Sequence, residues 1–317
     1  MATEMVTKPI AVAKAFCPGH ITGFFGIPRD TIAATTTTTS SSLTLLHKGS
    51  IGAGFSIDRG TTTSAYIYES AIKGYEIQIN GIKTHTAEVS KWIIEQYVNL
   101  TDRPYFVSVS HEVEIPIGFG LGSSGAAALS LSYALNQALG AGLSKIQAAQ
   151  IAHCAEIACK TGLGTVIAEF VGGFEMRMSP GAPGIGSIKS IPQDDRRKAV
   201  VLCLAPILTK SFLTDRINEV DGLGTVMLNK LSRSRTIDDF LKMSQEFADR
   251  LYLTKGRCKR PIEALRAKGF ESSVALFGET LFTLVDDSRV KEATNVLKEF
   301  GGRLLVCNID NAGARVL

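Results

Sequence analysis

Residues 116–135 read "PIGFGLGSSGAAALSLSYAL": four glycines and the pair Ser123 and Ser124 run directly into an alanine-rich segment. Glycine lets the backbone approach an anion closely. A helix opening at Ser123 or Ser124 would aim its free N–H groups and the positive end of its dipole at that anion. The stretch reads as a phosphate cradle or, taken alone, as a tight glycine turn with a small-residue helix packed on a sheet. Gly120, Gly122 and Gly125 also satisfy the short dinucleotide pattern G-x-G-x-x-G. The preceding strand argues against that fold. Val107, Val109, His111, Val113 and Ile115 alternate with Ser108, Ser110, Glu112 and Glu114, whereas a strand buried between two helical layers is a continuous apolar run. No acid lies about twenty residues beyond the loop to hold a ribose, the first being Glu156. No lysine follows as in a Walker loop, so positive charge must come from Mg²⁺ or from elsewhere in the chain.

The rest of the chain limits what such a cradle can serve. With 317 residues, 45% hydrophobic and 20% charged, it can bury a core without disulfides or metal staples. Its net charge of +4 is spread without a basic run, which removes nucleic acid as the default partner. The six cysteines form no C-x-x-C pair, a usage that suits a reducing compartment and a cytoplasmic location. The N-terminus carries an acid and two lysines within its apolar stretch, and the longest apolar run, residues 199–208, is far short of the roughly 20 a bilayer requires. Neither export nor a membrane span is expected.

Around the cradle, residues 9–25, 50–69 and 75–79 are rich in β-branched and aromatic types and predict strands. Residues 87–99 and 143–159 show helical spacing, the second opened by Ser144 as N-cap and closed by Gly162. The run "TTTTTSSS" at 35–42 predicts a solvated linker without chemistry. Prolines and glycines at 179–195 predict a domain junction. Beyond it come a helix at 237–251 capped by Thr236, with Asp238 and Asp239 in its first turn, a strand at 272–285 and a last helix at 290–300. The expected fold class is α+β: an N-terminal mixed sheet with helices over residues 1–185, and a C-terminal α+β sandwich over 186–317.

"PIGFGLGSSGAAA" resembles the central ATP-binding motif of the galactokinase, homoserine kinase, mevalonate kinase and phosphomevalonate kinase (GHMP) superfamily. "CPGHITGFFG" at 17–26 resembles that superfamily's N-terminal motif, and "SSVALFGETLFTLV" at 272–285 sits where its third motif lies. Within the superfamily, "PGHITGFF", "GSIGAGFSIDRG" at 49–60 and "AHCAEIACKTGLGTVIAEFVGGFEMR" at 152–177 look most like the archaeal pantoate kinases of coenzyme A biosynthesis. The resemblance implies the two-domain GHMP kinase fold, ATP and Mg²⁺ as cofactors, (R)-pantoate as the small-molecule partner, (R)-4-phosphopantoate as product, and a homodimer.

It further implies that Pro116, Gly118, Gly120, Leu121, Gly122, Ser123, Ser124 and Gly125 bind the nucleotide. Ser124 (or Ser123) and Glu156 then hold the metal. Glu156 lies among Ala152, Ala155, Ile157 and Cys159, a setting apolar for a surface charge, although a solvated helix face is the other reading. His153 is three residues earlier on the same helix face and is implied to contact the acceptor. Arg177 alternates with Phe174, Met176 and Met178, and its guanidinium suits the acceptor carboxylate. Ser50, in the glycine-bounded "GSIGAG", and Arg59 from the same hairpin are further substrate candidates.

Two positions depart from the superfamily pattern. The aspartate that many members carry seven residues before the paired glycines is Thr165 here, which cannot act as a base, and the lysine after the first P-G is His20. His20 and Glu169 are candidates to compensate, and a dissociative transfer needs little prior deprotonation. Thr165 keeps open a kinase for another alcohol and a non-catalytic nucleotide-binding protein.

Overall fold

A computed structural model describes residues 8–28, 42–101, 103–193, 197–207, 220 and 222–317. In chain order the elements are β1 (Ala11–Gly26), α1 (Ser42–His47), β2 (Ile51–Glu69), β3 (Gly74–Ile79), β4 (Ile82–Lys83), α2 (Glu88–Asn99), β5 (Tyr105–Val113), α3 (Ser123–Ala138), α4 (Lys145–Ala158), α5 (Thr165–Val171), β6 (Phe174–Ser179) and β7 (Ser187–Ser190). They continue as β8 (Arg197–Pro206), α6 (Leu223–Ser234), α7 (Ile237–Arg250), α8 (Lys259–Ala267), β9 (Ser273–Ala275), β10 (Gly278–Asp286), α9 (Val290–Lys298), β11 (Arg303–Cys307) and β12 (Arg315–Val316). The class is α+β, as the sequence predicts. Most of the hydroxyl run at 35–42 lies outside the described residues.

The first sheet has eight strands. Its spine is β1 against β2, antiparallel along nearly their whole length. β2 is long enough to serve two neighbours on one edge: its N-terminal part pairs β6 from Gly52 to Phe55, and its C-terminal part pairs β5 from Thr61 to Glu69. β3 lies parallel to β5, β7 extends β6, and β12 returns from the end of the chain to β1. The second sheet is antiparallel, in the order β11-β8-β10-β9.

One apolar core joins the sheets. Phe24 of β1, Phe55 of β2 and Phe174 of β6 meet Phe240 and Phe247 of α7 and Phe282 of β10, with ring centroids 4.9 to 6.4 Å apart. Such pairs add about 0.5–1.5 kcal/mol each beyond area burial. They hold the second half rigidly against the first, and the loop of residues 116–122 lies at that seam. A second cluster, rich in Ala126, Ala128, Ala148, Ala149 and Ala152, packs α3 against α4 over the sheet. Small side chains there allow close helix approach, which brings the start of α3 near the end of α4. Ser144 caps α4, as its sequence predicts, and the structure adds a capping box with Gln147. The helix ends at Ala158, and Lys160, not Gly162, takes the left-handed conformation after it.

Candidate active site

The glycine loop is held from both halves of the protein. The Leu121 carbonyl accepts from the His20 N–H at 3.0 Å, and the Gly118 carbonyl accepts from the Ile207 N–H at 2.9 Å. Gly120 has φ +74°, and a Cβ there would collide with the Leu276 carbonyl oxygen. The loop thus fits against the turn between β9 and β10 only without a side chain at this position. That turn, with Phe277 at φ +67°, divides the single strand expected at 272–285 into a hairpin. Gly122, also left-handed, is the N-cap of α3, and among the described residues no side chain caps its N–H groups. The helix start is therefore open to an anionic ligand.

It faces a cavity of about 450 Å³. The loop and helix contribute Gly118, Gly120, Leu121, Gly122, Ser123 and Ser124 to its wall; β1 contributes His20, Thr22 and Phe25; Ser50, Thr165 and Arg177 come from the segments around β2, α5 and β6. The turn after α4, residues 159–163, adds Lys160, and the second half adds Ile207, Leu276 and Phe277. Sequence reading anticipated the loop, Ser50 and Arg177 together. It did not single out Thr22, Phe25, Lys160, Leu276 or Phe277, although all lie within the stretches that carry the family resemblance, nor Ile207, which lies outside them.

Other expected site residues lie outside the lining. Pro116 and Gly125 flank it, Gly125 being packed on the Glu169 carboxylate. Arg59 is half-exposed and 3.7 Å from Glu114 on the surface. His153 is fully buried, with Nε2 3.0 Å from the Lys48 carbonyl, where it ties α4 to the segment leading into Ser50. Burial pulls the His153 ring down to about 4, against the pull of the Lys48 and Leu45 carbonyls, so it is neutral near pH 7.

The charged groups beneath the cavity are buried. Arg177, only 2% exposed, donates from Nη1 to Glu175 Oε1 at 2.6 Å, and His20 Nε2 is 3.0 Å from the same oxygen. The polar face of β6 carrying Glu175 and Arg177 is as enclosed as the apolar one, because it meets His20 of β1 and lies near the buried carboxylates of α4 and α5 instead of water. Arg177 is thus not the exposed strand arginine that alternation alone allows. Glu156 is buried, and the N–H groups of Gly164, Thr165 and Val166 donate to it, so it caps α5 from the neighbouring helix. Gly162 is packed against that carboxylate. Burial pushes Glu156 up to about 7 despite those donors, and its Oε2 has no hydrogen-bond partner among the described residues. Glu169 lies under the start of α3, and burial together with the nearby Glu156 raises it well above the usual carboxylate range.

An uncapped helix start, a glycine loop and a buried arginine thus meet around one cavity, an arrangement that can receive a phosphate at the helix start. Residues 88–173, which hold the loop and the helices α3 to α5, match the family described as "GHMP kinases N terminal domain". Pantoate kinase of Methanocaldococcus jannaschii is 32% identical over 93% of this chain and 99% of its own length. Pantoate kinase of Thermococcus kodakarensis is 30% identical over 90% of this chain and 92% of that one. A solved structure described as "Phosphotransferase related to CoA biosynthesis pathway" superposes with a TM-score of 0.84 at 28% identity, covering 96% of this chain and 98% of that one. The chain belongs to the pantoate kinase family of the GHMP kinases.

Proposed function

We propose that the protein transfers the γ-phosphoryl group of ATP to the terminal hydroxyl of (R)-pantoate, giving ADP and (R)-4-phosphopantoate. The observation that carries this reading is that one cavity is lined both by the phosphate loop at the start of α3 and by the buried cation Arg177. The loop N–H groups and helix dipole stabilise phosphate charge as it develops. Arg177, oriented by Glu175, holds the acceptor carboxylate and so sets which hydroxyl faces the phosphorus. Leu121, Phe25 and Phe277 exclude water from the transfer. In this reading residues 1–185 carry the nucleotide loop and 186–317 complete the wall.

Mg²⁺ fits the residues present. Among the described residues no three His, Cys, Asp or Glu side chains converge into a cage. Mg²⁺ asks for only one or two protein oxygens plus phosphates and water, and Glu156 offers a buried oxygen without a hydrogen-bond partner among the described residues. Ser124 and Glu156 would hold the ion, whose charge would offset that of the transferring phosphoryl group. His153 serves the acceptor indirectly in this reading, by fixing the backbone at Lys48 ahead of Ser50.

An acceptor panel tests the proposal. Pantoate with MgATP should release ADP rapidly, while homoserine and mevalonate should not. Rapid turnover of another alcohol with pantoate inert would overturn the substrate, and ATP binding without turnover on any alcohol would overturn the kinase.

A further inference from the structure

We propose that His20 accepts the proton of the acceptor hydroxyl during transfer and that Glu175 is its positioning partner. This rests on the kinase reading above and addresses the position where Thr165 leaves the site without a carboxylate. Thr165 lines the cavity but carries no group able to take a proton near neutral pH. Glu169 is shielded from the cavity, its carboxylate lying under Gly122 and Gly125. Among the described residues that line the cavity, His20 is the side chain whose ordinary titration range allows it to act as a base.

Its placement is fixed from three sides. The His20 N–H is bound to the Leu121 carbonyl of the phosphate loop. Gly54 of β2 lies flat against the ring, where a Cβ would collide with Cε1. Glu175 receives Nε2 at 3.0 Å. An ionised carboxylate only accepts, so Nε2 carries the hydrogen and the lone pair belongs to Nδ1. That nitrogen is 3.3 Å from the hydroxyl of Thr22, another wall residue, at a distance an acceptor hydroxyl can compete with. The ring therefore stands between the phosphate loop and Arg177, where the hydroxyl-bearing end of an acceptor held by Arg177 would lie.

The charged groups facing it are Glu175 and Arg177 on β6, with Glu169 of α5 behind the loop at Gly122. Burial chiefly, and Arg177 as well, lower the His20 pKa from its ordinary value, while Glu175 acts in the opposite sense, so the resting ring is neutral near pH 7. In the step, the hydroxyl proton moves to Nδ1 as the oxygen–phosphorus bond forms. The bond from phosphorus to the β,γ-bridging oxygen breaks, and its electron pair leaves with ADP. The imidazolium faces the Glu175 carboxylate until the proton is lost to solvent.

His20→Gln keeps an N–H for Glu175 and removes the base. Its kcat should fall about 100-fold or more, with KM for ATP and for the acceptor within about threefold. The acidic limb of the wild-type kcat profile should disappear, and His20→Ala should regain rate with added imidazole. Glu175→Gln should move the acidic limb to lower pH, since the imidazolium loses its counter-charge. Nitrogen NMR of the wild-type histidines, which needs no variant, should show His20 as the Nε2–H tautomer. A His20→Gln kcat within threefold of wild type, or an Nδ1–H tautomer, overturns the proposal. Wild-type turnover of a different alcohol overturns the pantoate reading alone, and the same variant ratio measured on that alcohol then judges His20. A wild type that turns over no alcohol overturns both.

Discussion

Replacing Arg177 should damage the protein in two separable ways. The guanidinium is buried and bound to Glu175 Oε1 at 2.6 Å, and the Glu175 carboxylate is itself fully enclosed. Arg177→Ala leaves that carboxylate with His20 as its remaining partner, and breaking one side of a buried pair costs about 3–5 kcal/mol of folding stability. Independently, an acceptor carboxylate without its cation loses about 2–4 kcal/mol, which corresponds to a rise of about 30-fold to several hundred-fold in KM. The double variant Glu175→Gln/Arg177→Ala separates the two, because it also removes the carboxylate that Arg177 pairs. Urea unfolding should show most of the stability restored in the double variant, while initial rates should still show the raised KM for pantoate and an unchanged KM for ATP. Pantoic acid amide, which has the same skeleton without the charge, should be a poor substrate of the wild type and should lose much less on going to the variant. If the wild type phosphorylates the amide as well as pantoate, or if the variants impair ATP instead, Arg177 does not hold the carboxylate. A single variant as stable as wild type would refute the buried pair.

Ser124→Ala and Glu156→Ala should each lower turnover at least about tenfold, about 1.4 kcal/mol of barrier, with a shifted Mg²⁺ dependence of the rate. Gly120→Ala combines a left-handed backbone, worth about 1–2 kcal/mol, with a collision at the Leu276 carbonyl, so both the melting temperature and ATP affinity should drop. Burial lowers His111 to about 4, so it is neutral when folded and takes up a proton on unfolding. Its contribution to stability is complete above pH 6.5 and should be lost as pH falls toward 4, by up to about 3 kcal/mol. Glu156, pushed up to about 7, acts oppositely, favouring the folded state below pH 4.5 and losing that contribution as pH rises to 7. The difference between His111→Gln and wild type in urea unfolding at pH 7 and pH 4.5 isolates the histidine.

The sequence by itself determined the features that depend on neighbouring residues. The glycine loop was legible because Gly118, Gly120 and Gly122 allow a left-handed backbone that other residues resist. The helix at 145–158 was legible because the Ser144 hydroxyl caps a backbone three residues away. β-branched and aromatic composition marked β1, β2 and β3 to within a residue or two, and period-two patterning marked the strand ahead of the loop. It also placed Glu175 and Arg177 on one face of β6, but periodicity cannot tell whether a polar face meets water.

Tertiary structure decided that, by burying both charges, with Arg177 near the carboxylates of α4 and α5. It brought His20 to Glu175 across 155 residues. It turned His153 toward the Lys48 carbonyl rather than the cavity, and gave Glu156 the N–H groups of α5 to cap. It bent residues 272–285 into a hairpin, because the turn at Leu276 and Phe277 has to meet Gly120. Each of these depends on which distant surface removes water from a group. Desolvation and long-range pairing are properties of the folded neighbourhood, whereas caps, turns and periodicity are properties of the chain.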